Sequence, residues 1–301
     1  MKPIEGIIVP LLTPITPEER PRHDQLRALT EYVIAGGVNA IFANGTTGEF
    51  ARFTRAEREA VLNTIVETTT GRVPVLAGVS DCGTRMVIEN IRAAERAGAD
   101  AVVTTLPYYF PTTSPREQAD FLTDVAQSTR LPVLLYNIPV VAGCNMAWEA
   151  LDQVCGLENL YGIKDTSGKT EYVDQLFARY GGRMRVYVGD ERLNYYGLSH
   201  GAAGVVPSLA NPFPRVLAAA WKAARDGDWA ACKAHCGVVD AMNALNRFSD
   251  SWMSPNIWRK VALAQMGIMD ETFTRPYQPV SEADRAAIAE DIRFYRENYG
   301  R

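Results

Sequence analysis

Little in this sequence is suited to holding a metal or cross-linking the chain. Its five cysteines, Cys82, Cys144, Cys155, Cys232 and Cys236, are odd in number and scattered, with no CxxC pair. That pattern argues against a disulfide framework or a structural zinc site. The three histidines, His23, His200 and His235, fall in no HExxH or similar arrangement, so no bound metal is expected. No apolar run approaches the roughly 20 residues needed to cross a bilayer. The opening MKPIEGIIVPLLTP has neither a basic n-region nor a small-residue cleavage site, and Pro10 and Pro14 interrupt it. It reads as a first buried strand rather than a signal peptide. Positive charge is not in excess: 31 Lys+Arg against 35 Asp+Glu leave a net charge of -4, which disfavours a nucleic-acid-coating role. No linker rich in Gly, Pro or Ser and no low-complexity tract divides the chain. These absences point to a cytoplasmic protein with reduced thiols that acts on a small molecule rather than on a membrane or a nucleic acid.

What is present is rhythm. Across 301 residues, 47% of them hydrophobic, eight short apolar runs recur. They are GIIVPLL from Gly6, NAIFANG from Asn39, VPVLAGVS from Val73, DAVVTTLP from Asp100, LPVLLYNIP from Leu131, NLYGIKD from Asn159, RVYVGD from Arg185 and GVVPS from Gly204. Each carries few charges, as parallel strands buried on both faces do. Helical spacing fills the gaps. Thr54–Glu57 and Ser114–Glu117 have the spacing of capping boxes, the second with Pro115 at the first helical position. Gly36-Gly37 and Gly98 stand where left-handed caps end helices. The predicted fold is α/β, a (β/α)₈ TIM barrel over residues 1–210, with an open doubly wound sheet as the alternative. Residues 211–301 are predicted to add helices packed on the barrel rather than an independent domain. They comprise a helical stretch from Asn211 to Phe248, a second from Asn256 to Ile268, and a last one opened by Ser281.

Barrel active sites lie where strands end at their C-terminal side. Lys164 follows Leu160-Tyr161-Gly162-Ile163, at the end of a buried run. Burial disfavours an ammonium, and a neutral amine is a nucleophile whose natural target is a ketone or aldehyde, giving a Schiff base. Taken alone, Lys164 is equally open to a plainer reading, as a snorkelling lysine or a partner of Asp165. Tyr136 ends the neighbouring run at a similar height. With strands about 4.8 Å apart, its phenol comes near the amine and is suited to passing protons. The turn Gly45-Thr46-Thr47-Gly48 clusters backbone N–H groups and two hydroxyls, a set suited to a carboxylate or phosphate. Amine, phenol and anion-binding turn together fit a 2-keto acid. Gly189, Asp190, Glu191, Ser167 and Ser208 end or follow the later runs and are candidates for binding the remainder of such a substrate.

With these motifs, GTTGE from Gly45, PYY from Pro107, YNIP from Tyr136 and GIKDTSG from Gly162, the chain resembles the dihydrodipicolinate synthase / N-acetylneuraminate lyase superfamily of lysine-dependent aldolases. The resemblance spans essentially the whole chain. It implies a TIM barrel with three C-terminal helices, assembled as a homotetramer of tight dimers. It implies Lys164 as the Schiff-base lysine, Tyr136 as the catalytic tyrosine and Thr46 as the hydroxyl that hands protons to it. It further implies Thr47 as a ligand of the keto-acid carboxylate and Val206 as a residue whose backbone carbonyl faces the bound acid. Tyr109 would reach across the tight-dimer interface, and Glu191 falls near the acidic position that contacts a sugar tail in the lyases. No dissociable cofactor is implied, the covalent imine to Lys164 being the electron sink.

One position departs from the pattern. In the dihydrodipicolinate synthases an arginine two residues after the YNIP motif binds the second substrate's carboxylate, and Val141 stands there in this chain. Valine makes no bidentate contact with a carboxylate. The expected reaction is therefore aldol cleavage of a sugar-derived 2-keto-3-deoxy acid to pyruvate and an aldehyde. The alternatives are dehydration of such an acid, dihydrodipicolinate synthesis, which Val141 disfavours, and a non-catalytic keto-acid sensor.

Overall fold

The structure, a computed structural model, describes residues 3–243 and 255–300. Each of the eight apolar runs contains a strand: β1 Gly6–Pro10, β2 Ala40–Ala43, β3 Val75–Gly78, β4 Ala101–Thr104, β5 Val133–Asn137, β6 Leu160–Asp165, β7 Arg185–Val188 and β8 Gly204–Val205. Every neighbouring pair is parallel, and β8 pairs with β1 to close the barrel. Gly204 sits opposite Gly6 at that seam, where a Cβ on Gly204 would lie 2.3 Å from the Gly6 carbonyl oxygen. Only a residue without a side chain lets the two strands meet there.

Alternation along the strands explains the two cores. Ile8, Phe42, Leu76, Val103, Leu134, Tyr136 and Tyr187 form one cluster, and Ile7, Ile41, Val75, Val102, Leu135, Ile163 and Val186 belong to another. Successive side chains on a strand face opposite sides, so the first set fills the barrel and the second packs under the helices. Lys164 is two residues from Gly162 and one from Ile163, which places it on the interior side.

The surrounding helices are α1 His23–Ala35, α2 Arg55–Thr69, α3 Thr84–Ala97, α4 Pro115–Gln127, α5 Pro139–Ala142, α6 Trp148–Val154, α7 Thr170–Tyr180 and α8 Asn194–Ser199. Then follow α9 Pro214–Arg225, α10 Trp229–Asn243, α11 Pro255–Gln265 and α12 Glu282–Tyr299. The Thr54 capping box forms in full, and Ser281 makes a second one with Asp284. Ser114 caps α4 only one way: its hydroxyl accepts from the Glu117 amide at 3.5 Å, and no return bond from the Glu117 carboxylate is present among the described residues. Gly37 and Gly98 are left-handed as expected, whereas Gly36 keeps helical angles because the chain turns one residue later. The helical stretch from Asn211 breaks into α9 and α10 at Gly227, whose φ is +78°. Residues 244–248 of that stretch lie outside the described residues. Although it follows residue 210, α9 packs on β1, where Trp221 approaches Gly6, and so completes the eighth β/α unit. The helices α10 to α12 follow it.

Candidate active site at the C-terminal end of the barrel

The register of β5 on β6 places Tyr136 opposite Lys164 and Asn137 opposite Asp165. Lys164 is 5% exposed, and its Nζ lies 3.8 Å from the centroid of the Tyr136 ring and 5.4 Å from that of Phe42. Phe42 meets Tyr136 edge-on with ring centroids 6.2 Å apart. The amine thus lies against two aromatic rings. Gly189, at the end of β7, makes room for it: a Cβ there would lie 2.5 Å from Lys164 Cε. Beside the lysine, Asp165 is buried and accepts hydrogen bonds from Asn137 Nδ2 at 2.7 Å and Ser167 Oγ at 2.7 Å. Burial raises its carboxyl pKa despite these bonds, and nearby Asp190 adds to the rise.

The Gly45–Gly48 turn follows β2 on the same end of the barrel, held from both sides. The Glu49 amide donates to the Thr46 carbonyl at 3.0 Å, and the Thr13 hydroxyl donates to the Gly48 carbonyl at 2.9 Å. Gly45 packs against the Phe42 ring, which in turn faces Lys164. Thr46 and Thr47 are half-buried. Val206, just past β8, belongs to the interior cluster that contains Tyr136, and Val141 packs against that cluster from α5. Lysine, tyrosine, glycine-threonine turn, Val206 and Val141 therefore converge on one end of the barrel.

The sequence model of the dihydrodipicolinate synthetase family matches residues 3–294. A 4-hydroxy-tetrahydrodipicolinate synthase from Sorangium cellulosum is 35% identical over 295 residues, covering 97% of this chain and 96% of that protein. The chloride-inhibited dihydrodipicolinate synthase from Acinetobacter baumannii, solved with pyruvate, superposes with a TM-score of 0.90 at 27% identity, over 97% of this chain and 99% of that one. A prophage protein of the dihydrodipicolinic acid synthase family from E. coli K12, also solved with pyruvate, gives 0.88 at 27% identity, over 97% and 98%. The chain belongs to the dihydrodipicolinate synthetase family. It is a lyase of that family.

The residues that follow the later strands divide by what already holds them. Arg192 grips Asp190 through two hydrogen bonds, Nε to Oδ1 at 3.0 Å and Nη2 to Oδ2 at 2.6 Å. Glu191 is buried and accepts from Ser208 Oγ at 2.6 Å, the Leu209 amide at 2.7 Å and Arg259 Nη2 at 3.0 Å. Ser167 donates to Asp165. The hydroxyls of Ser167 and Ser208 have thus spent their single proton but keep lone pairs that accept hydrogen bonds. The Arg192 and Arg259 side chains are both committed to carboxylates, and Val141 presents only methyl groups.

Tyr108 and Tyr109 part company. Tyr108 is half-buried, edge-on to Phe50 at 6.0 Å, and burial together with Asp81 pushes its phenol pKa up. Tyr109 takes a left-handed backbone (φ +74°) and is 81% exposed, with Phe110 beside it at 73%. One residue beside the lysine escaped the sequence reading. The Thr166 hydroxyl is buried without a hydrogen-bond partner among the described residues. It approaches the same point above Gly189 as Lys164 Cε, at 2.3 Å against 2.5 Å. The signal was available, since Thr166 lies two residues beyond Lys164 on the same strand end.

Proposed function

We propose that this lyase forms a Schiff base between Lys164 and a 2-keto acid and cleaves a sugar-derived 2-keto-3-deoxy acid into pyruvate and an aldehyde. The observation that carries the reading is the packing of the Lys164 amine on the Tyr136 ring, opposite in register, at the open end of the barrel. The Gly45–Thr47 turn holds the substrate carboxylate, and the Val206 carbonyl faces the bound acid. The amine attacks the keto carbon, and the carbinolamine loses water to give an iminium. Because Nζ lies over the ring face rather than at the phenol, Tyr136 acts on the carbinolamine oxygen, with Thr46 and a partner subunit's tyrosine at this chain's position 109 relaying the proton. A base then takes the proton from the C4 hydroxyl. The C3–C4 bond breaks, its electrons pass into the iminium, and the resulting enamine is protonated at C3. Water hydrolyses the pyruvate imine and frees Lys164. The aromatic faces that meet the amine also meet the cationic iminium. No dissociable cofactor enters. The Thr166 hydroxyl and the lone pairs of Ser167 and Ser208 bind the sugar hydroxyls, with Asp190 and Glu191 as the acidic side of that wall.

A second reading has its own support. The Sorangium cellulosum relative is named a 4-hydroxy-tetrahydrodipicolinate synthase, which favours condensation over cleavage. Val141 opposes it: a second carboxylate set against apolar side chains and deprived of water costs several kcal/mol unless paired. Dehydration shares the same imine and differs only in the next bond broken, and steady turnover separates all three from a keto-acid sensor. The same reading gives a cytoplasmic homotetramer of tight dimers.

Borohydride reduction in the presence of pyruvate should place the label on Lys164 in a peptide map. A second buried lysine, Lys260, gives the map its internal control. Label elsewhere, or none, sinks the Schiff-base assignment. A panel of 2-keto-3-deoxy acids, sialic acid, and pyruvate with aspartate semialdehyde then separates the reactions. Pyruvate release from a sugar acid should exceed both dehydration and condensation, and efficient condensation would overturn the substrate reading.

A further inference from the structure

We infer that α11, outside the barrel, sets the geometry of the keto-acid site, with Lys260 as a positioning residue that acts on the Gly45–Thr47 turn through Glu49. The inference rests on the proposal above that this turn binds the substrate carboxylate. Two consecutive residues of α11, Arg259 and Lys260, carry buried cations. Neighbours on a helix point about 100° apart, so they serve different loops. Lys260 Nζ pairs with Glu49 Oε1 at 2.6 Å, and Arg259 Nη2 with Glu191 Oε2 at 3.0 Å.

Glu49 is the residue that closes the turn. Its amide donates to the Thr46 carbonyl, and its backbone is left-handed (φ +57°), a conformation a glutamate adopts only when its surroundings impose it. Three groups hold its carboxylate: Lys260, the Thr274 hydroxyl at 2.5 Å and, more loosely, Arg52 at 3.5 Å. A second contact from α11 reaches the same turn, where Asn256 Nδ2 donates to the Thr47 carbonyl at 3.3 Å. Carbonyl and amide point in opposite directions across a trans peptide. Holding the Thr47 carbonyl toward α11 therefore turns the Gly48 amide away from that helix.

Stability alone is a weak reason for such an arrangement. A buried ion pair loses in desolvation much of what it gains by attraction, and apolar pairs of similar volume often do as well. What the pair does provide is direction, because a carboxylate fixed by three partners leaves the turn one conformation.

The test uses the full chain as Lys260→Met, and as the double variant Glu49→Gln/Lys260→Met, which removes both buried charges of the pair together. Two quantities are read: the pyruvate concentration giving half-maximal borohydride labelling of Lys164, and the thermal midpoint. The single variant should need about tenfold more pyruvate, as expected when a binding group is displaced by a fraction of an ångström. The double variant should regain thermal stability but keep the raised half-saturation. Wild-type half-saturation in either variant, whatever its thermal midpoint, overturns the inference. If Lys260→Met does not fold, the double variant decides alone. A wild-type protein that takes no label on Lys164 removes the Schiff-base reading and, with it, the role assigned to the turn.

Discussion

At Lys164 the chain places an amine that is 5% exposed against two aromatic rings. Tyr136 supplies one of those rings and also the phenol, so its two roles are separable by mutation. Tyr136→Phe keeps the ring packing and removes only the hydroxyl. Turnover should fall by about 10²–10⁴-fold, the usual loss for a positioned acid–base group, while pyruvate binding persists. A near-normal rate would assign the proton transfers to another group. Gly189 offers a complementary probe. A methyl group there meets Lys164 Cε at 2.5 Å and the Thr166 hydroxyl at 2.3 Å, so one or both must move. Gly189→Ala should cost about 1–3 kcal/mol of stability through overpacking. Displacing the nucleophile by about an ångström should also lower kcat/KM by about 10²-fold. An alanine variant with unchanged kinetics would show that the lysine has slack that this packing denies.

Among the elements, α2 shows how local chemistry anchors the site. Its N-terminus follows the Gly45–Glu49 turn within six residues, and its capping box ties Thr54 to Glu57. The Glu57 carboxyl pKa is held at about 2, chiefly by the Arg20 guanidinium at 2.7 Å and then by the Thr54 hydroxyl and amide. A carboxyl held below its ordinary value of 4.5 adds stability that is fully present above that pH and lost as pH falls toward 2. Solvent screens the exposed Arg20 end, so the hydrogen bonds at the cap supply most of it. Thr54→Ala should cost about 1 kcal/mol at neutral pH. The gap between variant and wild type, read from urea midpoints, should narrow as pH drops from 4.5 toward 2. A gap independent of pH would detach Glu57 from the cap.

For the whole molecule, the exposed ring pair Tyr109 and Phe110 asks for cover. These side chains are 81% and 73% exposed, their rings meet edge-on with centroids 5.0 Å apart, and Tyr109 keeps a left-handed backbone. Large apolar groups clustered in this way mark an interaction surface. A second copy of the chain is the partner that the proposed relay through Tyr109 requires. Sedimentation should therefore give at least twice the mass of one chain, and four times for the proposed homotetramer. Phe110→Lys should weaken the assembly and lower turnover together, because each site would lose its neighbour's tyrosine. A fully active monomer would end that proposal.

The barrel and its lysine–tyrosine pair were legible from sequence because both are local. Eight short apolar runs announce eight strands, and the residue ending each run lands on the C-terminal face of the barrel whatever the rest of the chain does. Helix ends were read with more error, as Ser114 and Gly36 show, since a cap depends on side-chain and backbone angles that residue type alone does not decide. The partners of buried charges were not legible at all. Glu191 reads as a ligand for a sugar tail, and its pairing with Arg259 was not foreseen, while Glu49 reads as the end of a motif and is bound by Lys260. Asn256 meets the Thr47 carbonyl across 209 residues of chain. Periodicity identifies which face of an element is buried, but not which distant element will cover it. A charge finds its partner only when the closed barrel and the α11 helix bring the two together, and that pairing is settled by packing in three dimensions.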